Sequence, residues 1–432
     1  MDRRSFVRRS AAIAGVAAIG DGIALPPAAG AEIAEVAKAL PRSIQELRPL
    51  SPSVVPISDA ERLTRIEKAR RLMVENGIAA MFLEPGSSMY YYTGVRWSLS
   101  ERPFGVVIPA KGELAYVTPG FEEERARELI KFSNDVRVWQ EDESPYARVA
   151  EIFRDRGIAT GKVGFEERVR FFITDGIRRE APQLEFVSAT PVTAGCRMFK
   201  SPAELALMQR ANDITIAAYR VAFPTLHAGM TQSELATTIA AAHKKLGADG
   251  GALVLFGVSS AFPHGTTKPA VLKEGDTVLV DGGCTVEGYA SDISRTLVFG
   301  KPSQRQRDVW DLEKRAQSAA FAAARVGATC ASVDAAARKV ITDAGFGPGY
   351  KVPGLPHRTG HGIGLDGHEW TNFVRGNTTR IQPGMCFSDE PTIVIYGEFG
   401  MRLEDCLYIK DDGPHFFTEQ SPAIDHPFPG SA

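Results

Sequence analysis

The chain has 432 residues, of which 44% are hydrophobic, and this length and apolar content predict two packed domains. Its 50 Lys and Arg nearly balance its 52 Asp and Glu, and the formal net charge is -2. Without a long basic block, the composition gives no support to nucleic-acid binding or to a polybasic membrane patch, so a small substrate is the expected partner.

The first 31 residues have the pattern of a twin-arginine signal peptide. Arg3 and Arg4 lie in a basic segment, the stretch AAIAGVAAIG follows, and small residues at 29–31 suit a cleavage site. The stretch is shorter than the about 20 apolar residues of a membrane-spanning helix, so we expect no stable membrane span. Residues 1–31 thus predict export to the periplasm, with a disordered basic tail as the alternative.

Residues 32–59 are predicted to be a linker and residues 60–195 an α/β domain. The segment SDAERLTRIEKARRLMVENGI begins with a helix cap at Ser58, AAMFLEP, FGVVIPA and LAYVTPG have the apolar pattern of strands, and GFEEERARELIKF is helical. The aromatic run Tyr90 to Tyr92, with Trp97 close behind, is predicted to end a strand. Such a cluster is more typical of a hydrophobic core or a dimer contact than of the lining of a substrate pocket.

Residues 200–425 contain one pattern twice: a long helix, a turn, a shorter helix and a hairpin. Ser201 and Glu204 form a capping box for the first long helix. Gly229-Met230-Thr231 in the first half corresponds to Gly327-Ala328-Thr329 in the second. This order predicts a duplicated unit whose halves close around a shared site.

Each predicted hairpin carries two carboxylates. Asp281 and Asp292 share a face if an even-length loop near 286–287 joins their strands, and Glu390 and Glu404 share a face if an odd-length loop lies within 396–400. His361 lies between the two hairpins in sequence. Any one of these carboxylates alone would be expected to cap a turn, but four in apolar strands would repel each other unless cations neutralise them. The set therefore predicts a five-ligand site for two metal ions.

The five cysteines are odd in number and lack C-x-x-C spacing. We interpret them mainly as small core residues. Pairing of Cys386 with Cys406, which lie in the same predicted hairpin, stays open at this point.

The segments PHGTTKP, VDGGCTVEGYASDISRT, HRTGHGIGLDGHE, SDEP and MRLED resemble the pita-bread metallopeptidases, which include Xaa-Pro dipeptidases (prolidases), aminopeptidase P and methionine aminopeptidase. The full amino-terminal domain resembles the prolidase and aminopeptidase P branch. The resemblance implies a two-domain α/β (α+β) chain, in which a creatinase/prolidase-like domain precedes a pita-bread catalytic domain with a pseudo-twofold repeat. It also implies a homodimer.

The resemblance assigns roles to individual residues. The implied metal ligands are Asp281, Asp292, His361, Glu390 and Glu404. The implied catalytic residues are His264, His368, Glu390 and Arg402, where the two histidines lie around the ligands and Arg402 supports the site. Substrate contacts are expected from His357, and from Trp97 if it reaches the site of a partner subunit.

The expected chemistry is attack on a peptide carbonyl by a water bridging two divalent ions, which Asp292 and Glu404 would share. Glu390 would carry the proton to the leaving amine, and His264 and His368 would stabilise the oxyanion. Carboxylate and imidazole donors favour Mn²⁺, with Co²⁺, Zn²⁺ or Fe²⁺ as substitutes.

The leading hypothesis is metal-dependent hydrolysis of the bond between an amino-terminal residue and proline in a small peptide. The alternative enzyme is a metal-using non-peptidase of the same fold, such as a lyase that cleaves C-N or C-S bonds in a small molecule. Creatinase-like relatives lack the metal ligands, so the intact set speaks against that branch. A binding module without catalytic activity is the third possibility, and it would hold no stoichiometric metal.

Overall fold

The structure is a computed structural model that describes residues 40–50 and 54–430. The predicted signal peptide and residues 32–39 and 51–53 of the predicted linker lie outside these residues. The described part of the linker range contains a short helix, α1 Arg42–Gln45. Over the two described stretches, none of the helices combines the length and the apolar character that crossing a membrane requires.

The amino-terminal domain is built on one mixed sheet with the strand order β4-β3-β2-β1-β5-β6. Its strands are β1 Ile78–Leu83, β2 Gly105–Pro109, β3 Ala115–Pro119, β4 Val136–Trp139, β5 Gly161–Phe165 and β6 Leu184–Ser188. Its helices are α2 Asp59–Glu75, α3 Ser87–Thr93, α4 Glu123–Leu129, α5 Pro145–Asp155, α6 Phe171–Glu180 and α7 Thr190–Arg197. Alternate residues of β1 point to opposite faces of the sheet and enter two different cores. Met81 and Leu83 pack in one core with α2 and α7. Ala80 and Phe82 pack in the other core with α5 and α6. Helices therefore cover both faces of the sheet.

The strands and the helices predicted in this domain are confirmed, including the cap at Ser58, whose side chain accepts a hydrogen bond from the Glu61 amide. The predicted strand end at Tyr90 to Tyr92 is wrong, because these residues lie in helix α3. Gly94 ends that helix in the left-handed region, with φ of 77°. Tyr91 and Tyr92 are buried in the core, so packing overrides the strand preference of tyrosine.

The carboxy-terminal domain begins with two helices, α8 Pro202–Ala222 and α9 Gln232–Leu246. A sheet of order β10-β8-β7 follows, with a short strand paired to β8. Its strands are β7 Asp249–Phe256, β8 Thr277–Val286, β9 Tyr289–Ala290 and β10 Ile293–Val298. The second half repeats the pattern with α10 Gln304–Ala323, α11 Cys330–Asp343 and seven further strands, which form one five-stranded and one two-stranded sheet. Those strands are β11 Gly360–Gly362, β12 Glu369–Phe373, β13 Cys386–Asp389, β14 Thr392–Ile395, β15 Phe399–Arg402, β16 Asp405–Lys410 and β17 Gly413–Phe416.

The predicted duplication is confirmed in detail at the turns between paired helices. Gly229 and Gly327 both adopt left-handed backbone angles, with φ of 88° and 83°. Thr231 caps α9 and Thr329 caps α11, each through its side-chain oxygen. Each threonine also forms an isolated β-bridge to the strand-like segment that follows its helix pair. The two halves therefore begin with the same local structure.

All five cysteines are free and buried, as expected for core residues. The pairing left open between Cys386 and Cys406 does not form. Cys386 lies opposite Tyr408 in the β13–β16 ladder, whereas Cys406 lies opposite Ser388. The two thiols are therefore displaced along the ladder.

Candidate metal centre

The first pair of carboxylates lies on the β8–β10 hairpin. Asp281 is directly opposite Ser294, and the ladder runs to the pair Val286 and Tyr289, so a two-residue loop joins the strands. Both loop residues have positive φ, 51° at Glu287 and 86° at Gly288. The loop is even in length, as predicted, but is centred one residue further along the chain. Asp281 and Asp292 consequently project from the same face.

The glutamates lie at the point where the second hairpin passes from one sheet to another. The β13–β16 ladder ends with the pair Asp389 and Asp405, and the β14–β15 ladder begins with Thr392 opposite Arg402. The hairpin tip has the odd-length loop that the sequence predicts, residues 396–398. With this register Glu390 and Glu404 are directly opposed between the two ladders.

The five predicted ligands come together in the structure. Three groups, in each of which the potential ligand atoms lie within 4.8 Å of one another, are Asp281 with Asp292 and Glu404, His361 with Glu390 and Glu404, and Asp292 with His361 and His368. Glu404 belongs to the first two groups. The Glu404 carboxylate is therefore within 4.8 Å of the potential ligand atoms of both groups.

The electrostatics of this cluster fit a bound cation. Burial, followed by the charge of Asp281, raises the pKa of Asp292 to about 7. Burial and the charge of Asp292 raise the pKa of Glu404 well above its usual value. Oε1 of Glu404 is also buried without a hydrogen-bond partner among the described residues. Crowded carboxylates that resist ionisation, one with an unpartnered oxygen, are the donor set that a divalent ion neutralises.

His361 presents one ring nitrogen to the carboxylates and the other to the backbone. Its Nε2 lies 3.2 Å from Oε1 of Glu390, and its Nδ1 lies 3.0 Å from the carbonyl oxygen of Gly362. Donation from Nδ1 to that carbonyl leaves the Nε2 lone pair for a metal. Burial opposes ionisation of Glu390, but the hydrogen bond and charge of His361 outweigh it and lower the pKa of Glu390 to about 2.

A serine that was not predicted connects the two hairpins. Oγ of Ser294 lies 2.8 Å from Oδ1 of Asp281 and 2.8 Å from Oε2 of Glu404, and it accepts a hydrogen bond from Nε of Arg402 at 2.9 Å. Nη2 of Arg402 lies 2.5 Å from Oδ2 of Asp281. Arg402, predicted as a catalytic residue, thus orients a candidate ligand. Ser294 shares the strand face of Asp292, and that parity was the available signal for it.

The predicted catalytic histidines lie around the ligands at different depths. The rings of His361 and His368 have centroids 3.9 Å apart. Partial burial lowers the pKa of His368 to about 4, and the charges of His361 and Arg358 act in the same direction. His264 is exposed, and its charge lowers the pKa values of His357 and His368.

The two predicted substrate residues differ in their surroundings. Nε2 of His357 is buried without a hydrogen-bond partner in the described part of the chain, while its Nδ1 lies 2.6 Å from the carbonyl oxygen of Arg358. Trp97 stacks on Phe104 in the amino-terminal domain, with ring centroids 4.2 Å apart. It also lines a cavity of about 270 Å³ together with Leu365. Trp97 is in none of the three ligand groups, and its substrate contact stays a prediction.

This geometry provides hard oxygen donors, one imidazole and further histidines beside them. Such a set binds divalent metal and supplies hydrogen-bond donors for an oxygen that gains negative charge.

Two family profiles match this chain, that of the Creatinase/Prolidase N-terminal domain over residues 65–199 and that of Metallopeptidase family M24 over residues 206–411. The chain is 35% identical to an uncharacterised peptidase of Schizosaccharomyces pombe, over 84% of this chain and 82% of that protein. It is 30% identical to the Xaa-Pro dipeptidase of Lactobacillus delbrueckii subsp. lactis, over 82% of this chain and 97% of that protein. The crystal structure of dipeptidase PepE from Mycobacterium ulcerans superposes with a TM-score of 0.78 at 32% identity, covering 86% of this chain and 99% of that one.

Proposed function

This chain belongs to metallopeptidase family M24, and on that premise we propose that it hydrolyses the peptide bond between an amino-terminal residue and a following proline. The observation that carries the proposal is the complete set of five potential ligands, drawn from both halves of the duplicated domain and brought within ligand distance in overlapping groups. The similarity to an Xaa-Pro dipeptidase along 97% of that protein supports proline as the second residue.

Members of the family use divalent metal, and we infer that this chain binds two ions. Glu404 belongs to two groups of ligands, and four carboxylates are more negative charge than one divalent ion would balance. Oxygen donors with a single imidazole favour Mn²⁺, while Co²⁺, Zn²⁺ and Fe²⁺ are substitutes. When bound, such ions polarise a carbonyl group and supply a nucleophile from water at neutral pH.

The residues of the chain itself position and protonate the peptide. Glu390 faces His361 at the centre and has a carboxylate available to move a proton towards the leaving amine. His368 lies against the candidate ligand His361, and we expect His368 and His264 to donate hydrogen bonds to the carbonyl oxygen as it gains charge. His357, with its unpartnered Nε2, would contact the substrate.

The test is release of proline from Xaa-Pro dipeptides by purified protein loaded with Mn²⁺, Co²⁺, Zn²⁺ or Fe²⁺ in turn, measured by chromatography. Xaa-Ala dipeptides and Xaa-Pro-Yaa tripeptides in the same assay determine proline dependence and substrate length. Asp281→Asn should abolish metal-dependent cleavage. Asp343→Asn is the matched control, because Asp343 is 62% exposed and, within residues 40–50 and 54–430, forms an ion pair only with Lys339 on α11.

Absence of peptide cleavage with every metal would overturn the proposed function. If stoichiometric metal is bound without cleavage, a non-peptidase reaction of the same fold becomes the explanation. If no metal binds, the chain is a binding module.

We further propose that the protein is exported to the periplasm and acts as a homodimer. The twin-arginine pattern in residues 1–31 supports export, because that route carries folded proteins that can already hold their metals. Periplasmic fractionation of cells that express the full chain tests export, and Arg3→Lys together with Arg4→Lys should retain the protein in the cytoplasm. Light scattering of the purified protein tests whether it is a homodimer.

A further inference from the structure

One hydrogen bond at the edge of the metal centre determines which nitrogen of His368 can carry a proton. Nη2 of Arg358 lies 2.9 Å from Nδ1 of His368. A guanidinium group has only N-H donors and accepts no hydrogen bond. Nδ1 must therefore be the acceptor, and the proton of the neutral ring lies on Nε2. The other tautomer would direct one N-H at another.

Arg358 lies on the same segment as the candidate ligand His361. The segment runs directly into β11, and His361 and His368 have ring centroids 3.9 Å apart. Arg358 and His361, which lie on one segment, thus both contact His368. Because Nδ1 is occupied, Nε2 is the nitrogen that is left for a substrate.

The loop that carries His368 is held by ion pairs to Arg197 and Lys200, at the junction of the two domains. Nη2 of Arg197, on α7, lies 2.6 Å from Oδ2 of Asp366 and 2.5 Å from Oε1 of Glu369. Nζ of Lys200 lies 3.0 Å from Oε2 of Glu369. The side chains of Arg197, Lys200 and Glu369 are each 1% exposed. Asp366 and Glu369 flank His368 in sequence. The loop is therefore fixed, and the contact with Arg358 decides the orientation and tautomer of the ring.

We propose that Arg358 is a positioning residue that holds His368 as the Nε2-H tautomer, so that His368 donates a hydrogen bond to the scissile carbonyl oxygen. This inference rests on the proposed peptidase function for the identity of that oxygen. The tautomer itself is a property of the protein and can be measured without substrate.

The first test is ¹⁵N NMR of the zinc-loaded enzyme labelled with [¹⁵N]histidine, since Zn²⁺ is diamagnetic. The resonances of His368 are those lost in His368→Gln. We expect Nε2 protonated and Nδ1 unprotonated in the wild type and in Arg358→Lys, because lysine also only donates. Arg358→Met should shift both resonances towards the average of two tautomers. A wild-type signal with the proton on Nδ1 overturns the proposal, whatever the substrate of the enzyme is.

The second test is kinetic, with an Xaa-Pro dipeptide as the probe. Arg358→Met should lower kcat about tenfold, a fraction of the loss expected for a whole oxyanion donor, with KM and metal content within about twofold. Arg358→Lys should restore most of the rate. Arg325→Met is the control, because Arg325 is exposed just after the end of α10 and, among the described residues, its side chain bonds only the carbonyl of Ala322.

The decisive measurement combines the two substitutions. If Arg358 acts through His368, Arg358→Met should cause no further loss of kcat in a His368→Gln enzyme. An equal loss in both backgrounds would overturn the proposal. A wild type that cleaves no Xaa-Pro peptide would count against the proposed function alone, because the NMR result would still decide the tautomer.

Discussion

Replacement of Ser294 by alanine should weaken metal binding although the serine is not itself a ligand. The hydroxyl lies 2.8 Å from each of two candidate ligands, Asp281 and Glu404, and accepts from Arg402 at 2.9 Å. It is fully buried, so water cannot replace it without a rearrangement. Since a hydroxyl has one hydrogen, it donates to one carboxylate at a time and accepts from the guanidinium throughout.

The expected magnitude follows from those contacts. A hydrogen bond to a charged group contributes about 1.5 to 3 kcal/mol, and a bound divalent ion already neutralises much of the carboxylate charge. We therefore expect Ser294→Ala to weaken metal binding by about 10-fold to 100-fold, the range found when groups that orient metal ligands are removed, or about 1.4 to 2.8 kcal/mol. Most of the loss of metal affinity should come from the greater conformational freedom of the Asp281 side chain once the serine no longer orients it.

Isothermal titration of metal-free protein with Mn²⁺ measures this directly. Ser318→Ala is the matched control, because that hydroxyl donates only to the Lys314 carbonyl of its own helix, at 2.9 Å. The reasoning is refuted if Ser294→Ala binds Mn²⁺ within about twofold of the wild type while its circular dichroism spectrum is unchanged.

Three further outcomes are expected. Because the pKa of Asp292 is raised from 3.8 to about 7 without metal, its protonated form stabilises the metal-free fold at low pH, and this contribution is lost as pH rises from about 3.8 to about 7. The gain in Tm on adding Mn²⁺ should therefore grow over that interval, and a constant gain in scanning fluorimetry would contradict it. His264→Gln and His368→Gln should each lower kcat by up to about 100-fold at unchanged metal content, and loss of metal in either variant by elemental analysis would make that histidine a ligand instead. Arg197→Met should lower the free energy of unfolding by about 3 kcal/mol, the low end for a broken buried ion pair, because Glu369 loses one of its two buried cationic partners and keeps Lys200, and guanidinium denaturation should show a much smaller effect for Arg325→Met.

Parity along strands predicted a large part of the centre. Once Asp281 and Asp292 were assigned to one hairpin, an even loop placed them on one face, and a one-residue error in the loop position did not alter the result. The same argument extends from Asp292 to Ser294, which lies two residues further along the strand. Applied to every polar residue of the hairpin, it would have found the serine.

Other features depend on contacts that no periodicity encodes. The acceptor for Nδ1 of His361 is the backbone carbonyl of Gly362, which any residue at that position would offer. The contact between Arg358 and His368 depends on how one loop folds back onto the segment before β11. Tyr90 to Tyr92 were assigned to a strand because tyrosine favours strands, yet their helix is determined by burial against the core.

The glutamate hairpin passes from one sheet to another, and its two ladders therefore differ in what they do. The β13–β16 ladder sets the register of the candidate ligands, while β14 and β15 form an arm beyond them. The arm made by β14 and β15 extends beyond Glu390 and Glu404. Its tip residue Tyr396 packs against Phe262, with ring centroids 5.4 Å apart. A residue added at that tip would leave the Asp389–Asp405 ladder in register, whereas one added between Asp389 and Glu390 would turn a ligand to the opposite face. Loops of other lengths and sequences can therefore be grafted onto the tip without changing the arrangement of the candidate metal ligands.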